Sequence, residues 1–146
     1  VGDFKPYKEN FVDSALVEVG GKGVNITRAL HANGKKSTAY IVLGKENYAP
    51  FEKSIKAEGI SYIPLYSDGK IRENITIHTN NAPETRISLD SFSLSEQSLK
   101  DLSQMILKKV KKGDIVAFSG RVPRGLNMRC YSLSFGYKST RRTSCG

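Results

Sequence analysis

A glycine-rich turn, Gly20-Gly21-Lys22-Gly23-Val24-Asn25, lies between two segments of different character. The apolar run over residues 15–19 before it is typical of a strand, and the run after it, up to Gly34, is typical of a helix. Three glycines in four positions allow a sharp bend and a close approach of the backbone to a ligand. The free N–H groups at the start of the helix favour an anion there, and Lys22 adds a full positive charge.

The turn also has a plainer interpretation. Glycines before a helix often form only a tight turn, and Lys22 would then be a solvated lysine. The two best-known nucleotide motifs do not fit, because Gly23 follows Lys22 where a P-loop has Ser or Thr, and the spacing G-x-G-x-x-G is not formed. The residues alone therefore predict a polar, anionic ligand as one of two open interpretations.

The composition is that of a single globular domain. A chain of 146 residues is long enough for a real core, and 38% hydrophobic with 25% charged residues is typical of a soluble protein. No run approaches the ~18 apolar residues of a membrane span, and the first residues lack the layout of a signal peptide. Cys130 and Cys145 are too few for a disulfide framework or a zinc site. We therefore expect no membrane partner and a cytoplasmic location.

The net charge of +9 raises the question of a nucleic-acid partner, and its distribution argues against one. Residues 127–146 contain four basic residues and no acidic one, so they contribute +4 of the nine. Much of the rest lies in residues 108–112, at the end of a predicted helix, where cations suit the helix dipole. A solvated basic face is the simpler explanation, and no nucleic-acid partner is expected.

Alternating strand and helix patterns predict an α/β fold. Apolar runs predict strands at 13–19, 37–43, 60–66 and 114–119, and helical periods predict helices at 24–33, 47–58 and 95–113. Two shorter runs joined by a turn predict an antiparallel hairpin at 72–79 and 84–89. The expected architecture is a mostly parallel sheet flanked by helices. Because such sheets bind ligands at the carboxyl ends of their strands, Gly44-Lys45 and Ser119-Gly120 lie at candidate site positions.

The last twenty residues do not continue this pattern. Residues 127–146 are rich in Ser, Arg and Thr, with no sustained period, where an α/β unit should supply another helix. The alternation of Tyr131, Leu133, Phe135 and Tyr137 is compatible with one isolated strand. We favour a disordered or frame-shifted tail, so that residues 1–126 form the domain and residues 127–146 lie outside it.

Four segments, taken together, resemble the ribokinase-like (PfkB) carbohydrate kinases. They are GGKGVNITRAL at 20–30 followed by Gly34, LGKEN at 43–47, RENITI at 72–77 and SGRVPRG at 119–125. The similarity is greatest to the branch that contains 1-phosphofructokinase and tagatose-6-phosphate kinase, and it extends over roughly residues 10–127. Four matches in the right order are far more specific than the glycine motif alone.

The resemblance implies transfer of the γ-phosphoryl group of ATP, with Mg²⁺, to a hydroxyl of a phosphorylated sugar. Fructose 1-phosphate, giving fructose 1,6-bisphosphate, is the expected substrate, and tagatose 6-phosphate is possible. The substrate-binding residues that it implies are Gly20, Gly21, Lys22, Asn25, Arg72, Ser119 and Gly120. Lys22 and Arg72 would bind the phosphate that the sugar already carries, one as a point charge and the other as a planar fork.

The resemblance also implies a β lid. The hairpin at 72–89, together with the strand at 13–19, would form this lid, which often makes a homodimer contact in the family. Closure of such a lid excludes water from the site.

The departures from the family pattern concern catalysis. These 146 residues contain no Gly-Ala-Gly-Asp motif for the catalytic base, and their one Asn-x-x-Glu spacing, Asn81 to Glu84, lies at the turn of the predicted hairpin. Arg121 also replaces a small residue in the Ser-Gly-Ser-x-Pro loop. We therefore expect an N-terminal portion of a kinase that is inactive alone, with no catalytic or metal-binding residue and with the ATP and Mg²⁺ sites largely absent. The alternative is a non-catalytic sugar-phosphate-binding or dimerisation module.

Overall fold

The computed structural model describes residues 1, 3–80 and 82–121 of the chain. Three helices are formed, α1 Lys22–Ala32, α2 Tyr48–Ala57 and α3 Glu96–Leu107. Four strands accompany them in this part of the chain, β1 Ala39–Gly44, β2 Tyr62–Ser67, β3 Asn74–Ile77 and β4 Thr85–Ser88. The predicted tail, residues 127–146, lies outside the described residues.

The strands form one parallel pair and one antiparallel pair. β1 and β2 run parallel, in a register from Ala39 opposite Tyr62 to Gly44 opposite Ser67, with α2 in the connection between them. β3 and β4 form the antiparallel hairpin, with Ile75 opposite Ile87. A parallel sheet, flanking helices and a small antiparallel hairpin confirm the predicted α/β architecture.

Glycines end the first two helices, as the sequence predicts. Gly34 and Gly59 both adopt a left-handed backbone, with φ of 67° and 68°. After α2, the N–H of Gly59 bonds to the carbonyl of Lys56 and that of Ile60 to the carbonyl of Ile55, which is the Schellman pattern. Ile60 and Ile55 pack with Val24 of α1 in the buried core, so the end of α2 is fixed by hydrogen bonds and by packing.

The third helix begins as predicted and ends early. The Ser95 hydroxyl accepts a hydrogen bond from the N–H of Ser98 at 3.1 Å, and Leu94 and Leu99 on either side are buried. The helix ends at Leu107 and does not reach Gly113. Its last turn contains no basic residue, so among the lysines at 108–112 only Lys108, the C-cap, lies directly at the helix end. A separate turn follows, in which Asp114 accepts from the N–H of Lys111 at 2.8 Å.

Two predicted strands, at 13–19 and 114–119, are wrong. Neither segment is part of a β-strand, and side chains that a buried strand would cover lie in solvent, with Leu16 82% and Ile115 95% exposed. An apolar run becomes a parallel strand only where neighbouring strands complete its hydrogen bonds. Among the described residues the antiparallel sheet consists of β3 and β4 alone, so the 13–19 part of the expected lid is not paired with the hairpin.

Candidate functional site

One broad concavity contains all the predicted site residues. Its lining includes Gly20, Gly21, Lys22, Asn25, Arg72, Ser119 and Gly120. The volume is about 3690 Å³, whereas a pocket that encloses one small ligand has roughly 300–1,000 Å³. The predicted residues therefore share an open trough and do not close around a ligand-sized cavity.

The glycine turn presents the start of α1 to this trough. Gly21 is the residue before the helix, with φ of 122° and ψ of 130°, a conformation that side-chain-bearing residues rarely adopt. No side chain caps the helix, and its first turn contains no acidic residue. The N–H groups and the positive dipole end at Lys22 are therefore not neutralised by a carboxylate of the first turn.

Arg28 joins the glycine turn to α2. Its guanidinium forms a two-pronged ion pair with Glu58 and donates to the carbonyl of Val19 at 3.1 Å and to Asn25 Oδ1 at 2.6 Å. The hydrogen bond raises the pKa of Arg28 and lowers the pKa of Glu58. Because Arg28 occupies Asn25 Oδ1, the Asn25 side chain faces the trough chiefly as an N–H donor. Sequence reasoning missed this arginine, since its partner lies 30 residues away.

Arg72 lies between two residues, Ile71 and Glu73, that are both hydrogen-bonded to Asn47. Asn47 Oδ1 accepts from the N–H of Ile71 at 2.7 Å, and Asn47 Nδ2 donates to the carbonyl of Ile71 at 3.2 Å and to Glu73 Oε1 at 3.1 Å. Asn47 is the N-cap residue of α2 by position, but its side chain makes no capping bond to the helix. Its amide bonds to the residues on either side of Arg72 instead.

Lys22 and Arg72 line the trough without an ion-pair partner among the described residues. Arg28, Lys45 and Lys56 each form an ion pair with a carboxylate. Within residues 1, 3–80 and 82–121, neither Lys22 nor Arg72 forms such a pair. Lys22 is exposed and Arg72 is half-buried. The same absence of an ion pair holds, in this part of the chain, for four further cations that line the trough, Lys35, Lys36, Lys109 and Arg121. What distinguishes Lys22 is its place at the uncapped start of α1.

A family profile described as pfkB family carbohydrate kinase matches residues 3–141, nearly the whole chain. This chain belongs to the pfkB family of carbohydrate kinases. The match begins before residue 10 and continues past residue 127, so the resemblance is longer at both ends than the sequence motifs predict.

Individual relatives agree with this pfkB assignment. The 1-phosphofructokinase of Haemophilus influenzae is 28% identical over 123 residues, which are 84% of this chain and 39% of that protein. The tagatose-6-phosphate kinase of Staphylococcus epidermidis is also 28% identical, over the same shares of each chain. The chain thus spans about two fifths of the length of these curated relatives.

A solved structure supports the pfkB fold. Phosphofructokinase-2 of Escherichia coli, in complex with fructose-6-phosphate, superimposes with a TM-score of 0.84 at 20% identity. The superposition covers 92% of this chain and 45% of that one. At this identity the likeness concerns the fold.

The remaining predicted residues of this pfkB chain, Ser119 and Gly120, line the trough from an exposed segment that is not a strand. Gly120 has a φ of 120°, which favours glycine. The later part of the same loop, residues 122–125, lies outside the described residues.

Among the described residues, no group of three or more His, Cys, Asp or Glu side chains could hold a metal ion. In the same part of the chain, none of the helices has the length and apolar character needed to cross a membrane.

Proposed function

We propose that this chain is the acceptor-binding part of an ATP-dependent sugar-phosphate kinase. The substrate is fructose 1-phosphate, which becomes fructose 1,6-bisphosphate, with tagatose 6-phosphate as the second choice. One observation carries the proposal: Lys22, at the uncapped start of α1, and Arg72 line one trough without carboxylate partners among the described residues. A phosphate dianion would satisfy both cations, and the helix N-terminus would add N–H donors.

The residues divide into two roles in this proposal. Lys22 and Arg72 bind the phosphate of the sugar, and Ser119 and Gly120 line the sugar pocket. The turn at Gly20 and Gly21 lets the sugar approach the backbone, and Asn25 donates its side-chain N–H to a sugar hydroxyl. The names of the relatives, 1-phosphofructokinase and tagatose-6-phosphate kinase, agree with a ketose phosphate as the acceptor.

ATP and Mg²⁺ are the expected cofactors of the whole enzyme, as its family relationship implies. ATP would supply the γ-phosphoryl group. Among the described residues no three potential metal-ligating side chains come together, and the sequence contains no Gly-Ala-Gly-Asp motif. We therefore propose that these 146 residues bind the acceptor and do not turn it over alone. We also propose that they act in the cytoplasm. ATP-dependent phosphorylation of fructose 1-phosphate by this chain by itself would contradict the proposal.

The binding role is tested by titration. Fructose 1-phosphate and tagatose 6-phosphate are added separately to the labelled chain, and its amide NMR spectrum is followed. Lys22→Ala and Arg72→Ala should each weaken binding about 10- to 100-fold, as expected for a lost hydrogen bond to a charged group. Lys53→Ala is the matched control, because Lys53 is exposed on α2 and does not line the trough. Equal affinities in all four proteins would show that the two cations do not bind the sugar.

A second candidate function is dimerisation through the hairpin. Ile75 and Ile87 lie opposite each other on β3 and β4 and remain 49% and 45% exposed. An exposed apolar pair on a short hairpin is a suitable contact for a second copy. This candidate predicts that Ile75→Lys produces monomers on a sizing column while Lys22→Ala leaves the dimer intact. A parent chain that elutes as a monomer at high concentration would exclude it.

A further inference from the structure

We infer that Asn47 is a positioning residue for Arg72. The inference rests on the proposed function in one respect, namely that Arg72 binds the phosphate of the substrate. Asn47 lies in the turn between β1 and α2, at the carboxyl end of the parallel sheet, and its side chain reaches across to the segment that follows β2.

The two segments are joined along their backbones before Asn47 acts. The N–H of Lys45 bonds to the carbonyl of Ser67 at 2.9 Å, and the N–H of Glu46 bonds to the carbonyl of Gly69 at 3.2 Å. These bonds extend the parallel pairing of β1 and β2 past the last strand residue, Gly44. The segment after β2, residues 68–71, therefore lies against the turn between β1 and α2.

Gly44 permits this close approach. A methyl group on Gly44 would lie 2.5 Å from the carbonyl oxygen of Gly69 and at the same distance from backbone atoms of Lys70 and Ile71. Real carbon atoms do not approach so closely, so only glycine fits at this position. The backbone of residues 69–71 thus lies directly against Gly44.

Asn47 then fixes the residues on both sides of Arg72. Its amide binds the N–H and the carbonyl of Ile71 and also the carboxylate of Glu73. Both N–H donors of the amide are used in these bonds, and the oxygen is engaged as well. Glu73 directly precedes the hairpin, and its carbonyl accepts from the N–H of Leu89 at 3.0 Å. Arg72 is therefore held between two anchored neighbours while its guanidinium is not tied to a carboxylate.

This arrangement has a functional consequence. A flexible arginine loses side-chain and backbone freedom when it binds a phosphate, and a preorganised one loses less. Asn47 itself lines the trough, but its amide oxygen and both N–H donors are engaged with residues 71 and 73, so we expect its effect on affinity to pass through Arg72. Removal of Asn47 should weaken phosphate binding only as long as Arg72 is present.

The test is a double-mutant cycle with fructose 1-phosphate as the probe. Asn47→Ala is expected to weaken binding about 5- to 20-fold in the parent chain and less than twofold in the Arg72→Ala chain. Asn33→Ala is the matched control, since it removes a side-chain bond to the Ala29 carbonyl at the C-terminal end of α1, and Asn33 does not line the trough. Equal losses from Asn47→Ala in both backgrounds would overturn the inference, because a purely structural role does not depend on Arg72.

A second readout does not need the ligand. The N–H of Leu89 bonds to Glu73 but not to Asn47, so its hydrogen exchange reports whether residue 73 remains anchored. Asn47→Ala should accelerate this exchange at least tenfold, and Asn33→Ala should not. Asn47→Asp retains an acceptor for the N–H of Ile71, and it serves if the alanine variant does not fold. Unchanged exchange at Leu89 in the variant that folds would overturn the inference. If the parent chain shows slow exchange at Leu89, and Asn47→Ala accelerates it, but the parent does not bind the sugar, only the proposed function would be contradicted.

Discussion

The glycine turn and the segment 114–121 contain similar sequence signals but have different structures. Both combine an apolar run with glycines and were expected to end a strand at the ligand-binding edge. The helix after the glycine turn is fixed, because Val24 is buried against Ile55 and Arg28 is bound to Glu58. Residues 114–121 are exposed throughout and form no strand. The difference shows that a sequence pattern becomes structure here only where a partner from elsewhere in the chain covers it.

The largest expected effect compares one isoleucine from each region. Ile55 is fully buried in the core with Val24 and Ile60, and Ile115 is 95% exposed. Ile55→Ala should lower the free energy of unfolding by about 2–5 kcal/mol, because it leaves a cavity. Ile115→Ala should change it by less than about 0.5 kcal/mol. Urea denaturation followed by circular dichroism measures both values.

Ile55→Val serves if the alanine variant does not fold, with an expected loss of about 0.5–1.5 kcal/mol. A loss for Ile115→Ala that matches the loss for Ile55→Ala would mean that residues 114–121 are covered in solution. The contrast between the two regions would then be wrong.

A second comparison uses two glycines that both have ordinary backbone angles. Gly44→Ala places a methyl group against the backbone of residues 69–71 and should destabilise the chain by about 1–3 kcal/mol. Gly23 lies inside α1 with nothing within 4 Å of an added methyl group. Gly23→Ala should therefore stabilise the helix by about 0.5–1 kcal/mol. The same denaturation curves give both values, and destabilisation by both substitutions would point to a general intolerance of these turns.

The sequence predicts those features that depend on neighbouring residues. The Ser95 cap, the Gly34 and Gly59 helix ends and the hairpin all follow from signals within a few positions of each other. The ion pair of Arg28 with Glu58 and the bonds of Asn47 to residues 71 and 73 join positions 24 to 30 residues apart. Such partners depend on how the elements pack, and a single sequence does not state this. The strand at 114–119 fails for the same reason, because neither β1 nor β2 pairs with it.

The Arg28–Glu58 pair gives a third, smaller effect. Arg28→Ala removes the guanidinium bonds to Val19 and Asn25 along with the ion pair, and should cost about 1–2 kcal/mol at pH 7, since the side chain is partly exposed. The pKa of Glu58 is lowered by Arg28, so its contribution is present above the ordinary carboxyl pKa and is lost as the pH falls through the lowered value. Denaturation curves at pH 7 and pH 3 should therefore differ less for Arg28→Ala than for the parent chain. An equal pH dependence would show that the pair does not form in solution.

The smallest expected effect concerns the contact between α2 and β2, where Tyr66 donates a hydrogen bond to Glu52 Oε1 at 2.5 Å and its ring meets Tyr48 edge-on. This bond raises the pKa of Tyr66 to about 12 and lowers the pKa of Glu52. A phenol with a raised pKa contributes stability below its ordinary value near 10, and this contribution is lost as the pH rises through about 12. Glu52→Gln removes the carboxylate and should return the titration of Tyr66 towards 10, while Lys53→Ala on the same helix should leave it unchanged.

The titration is followed by the NMR shift of the Tyr66 ring carbons, because the chain has seven tyrosines and their absorbance overlaps. A Tyr66 that titrates near 10 in the parent chain would mean that Glu52 does not hold it. Tyr66 belongs to β2 and Glu52 to α2, so the result tests whether these two elements pack together. A high pKa would show that the packing of α2 against β2 is formed in solution. Because Tyr66 and Glu52 do not line the trough, this packing can be tested without any change to the residues proposed to bind the sugar phosphate.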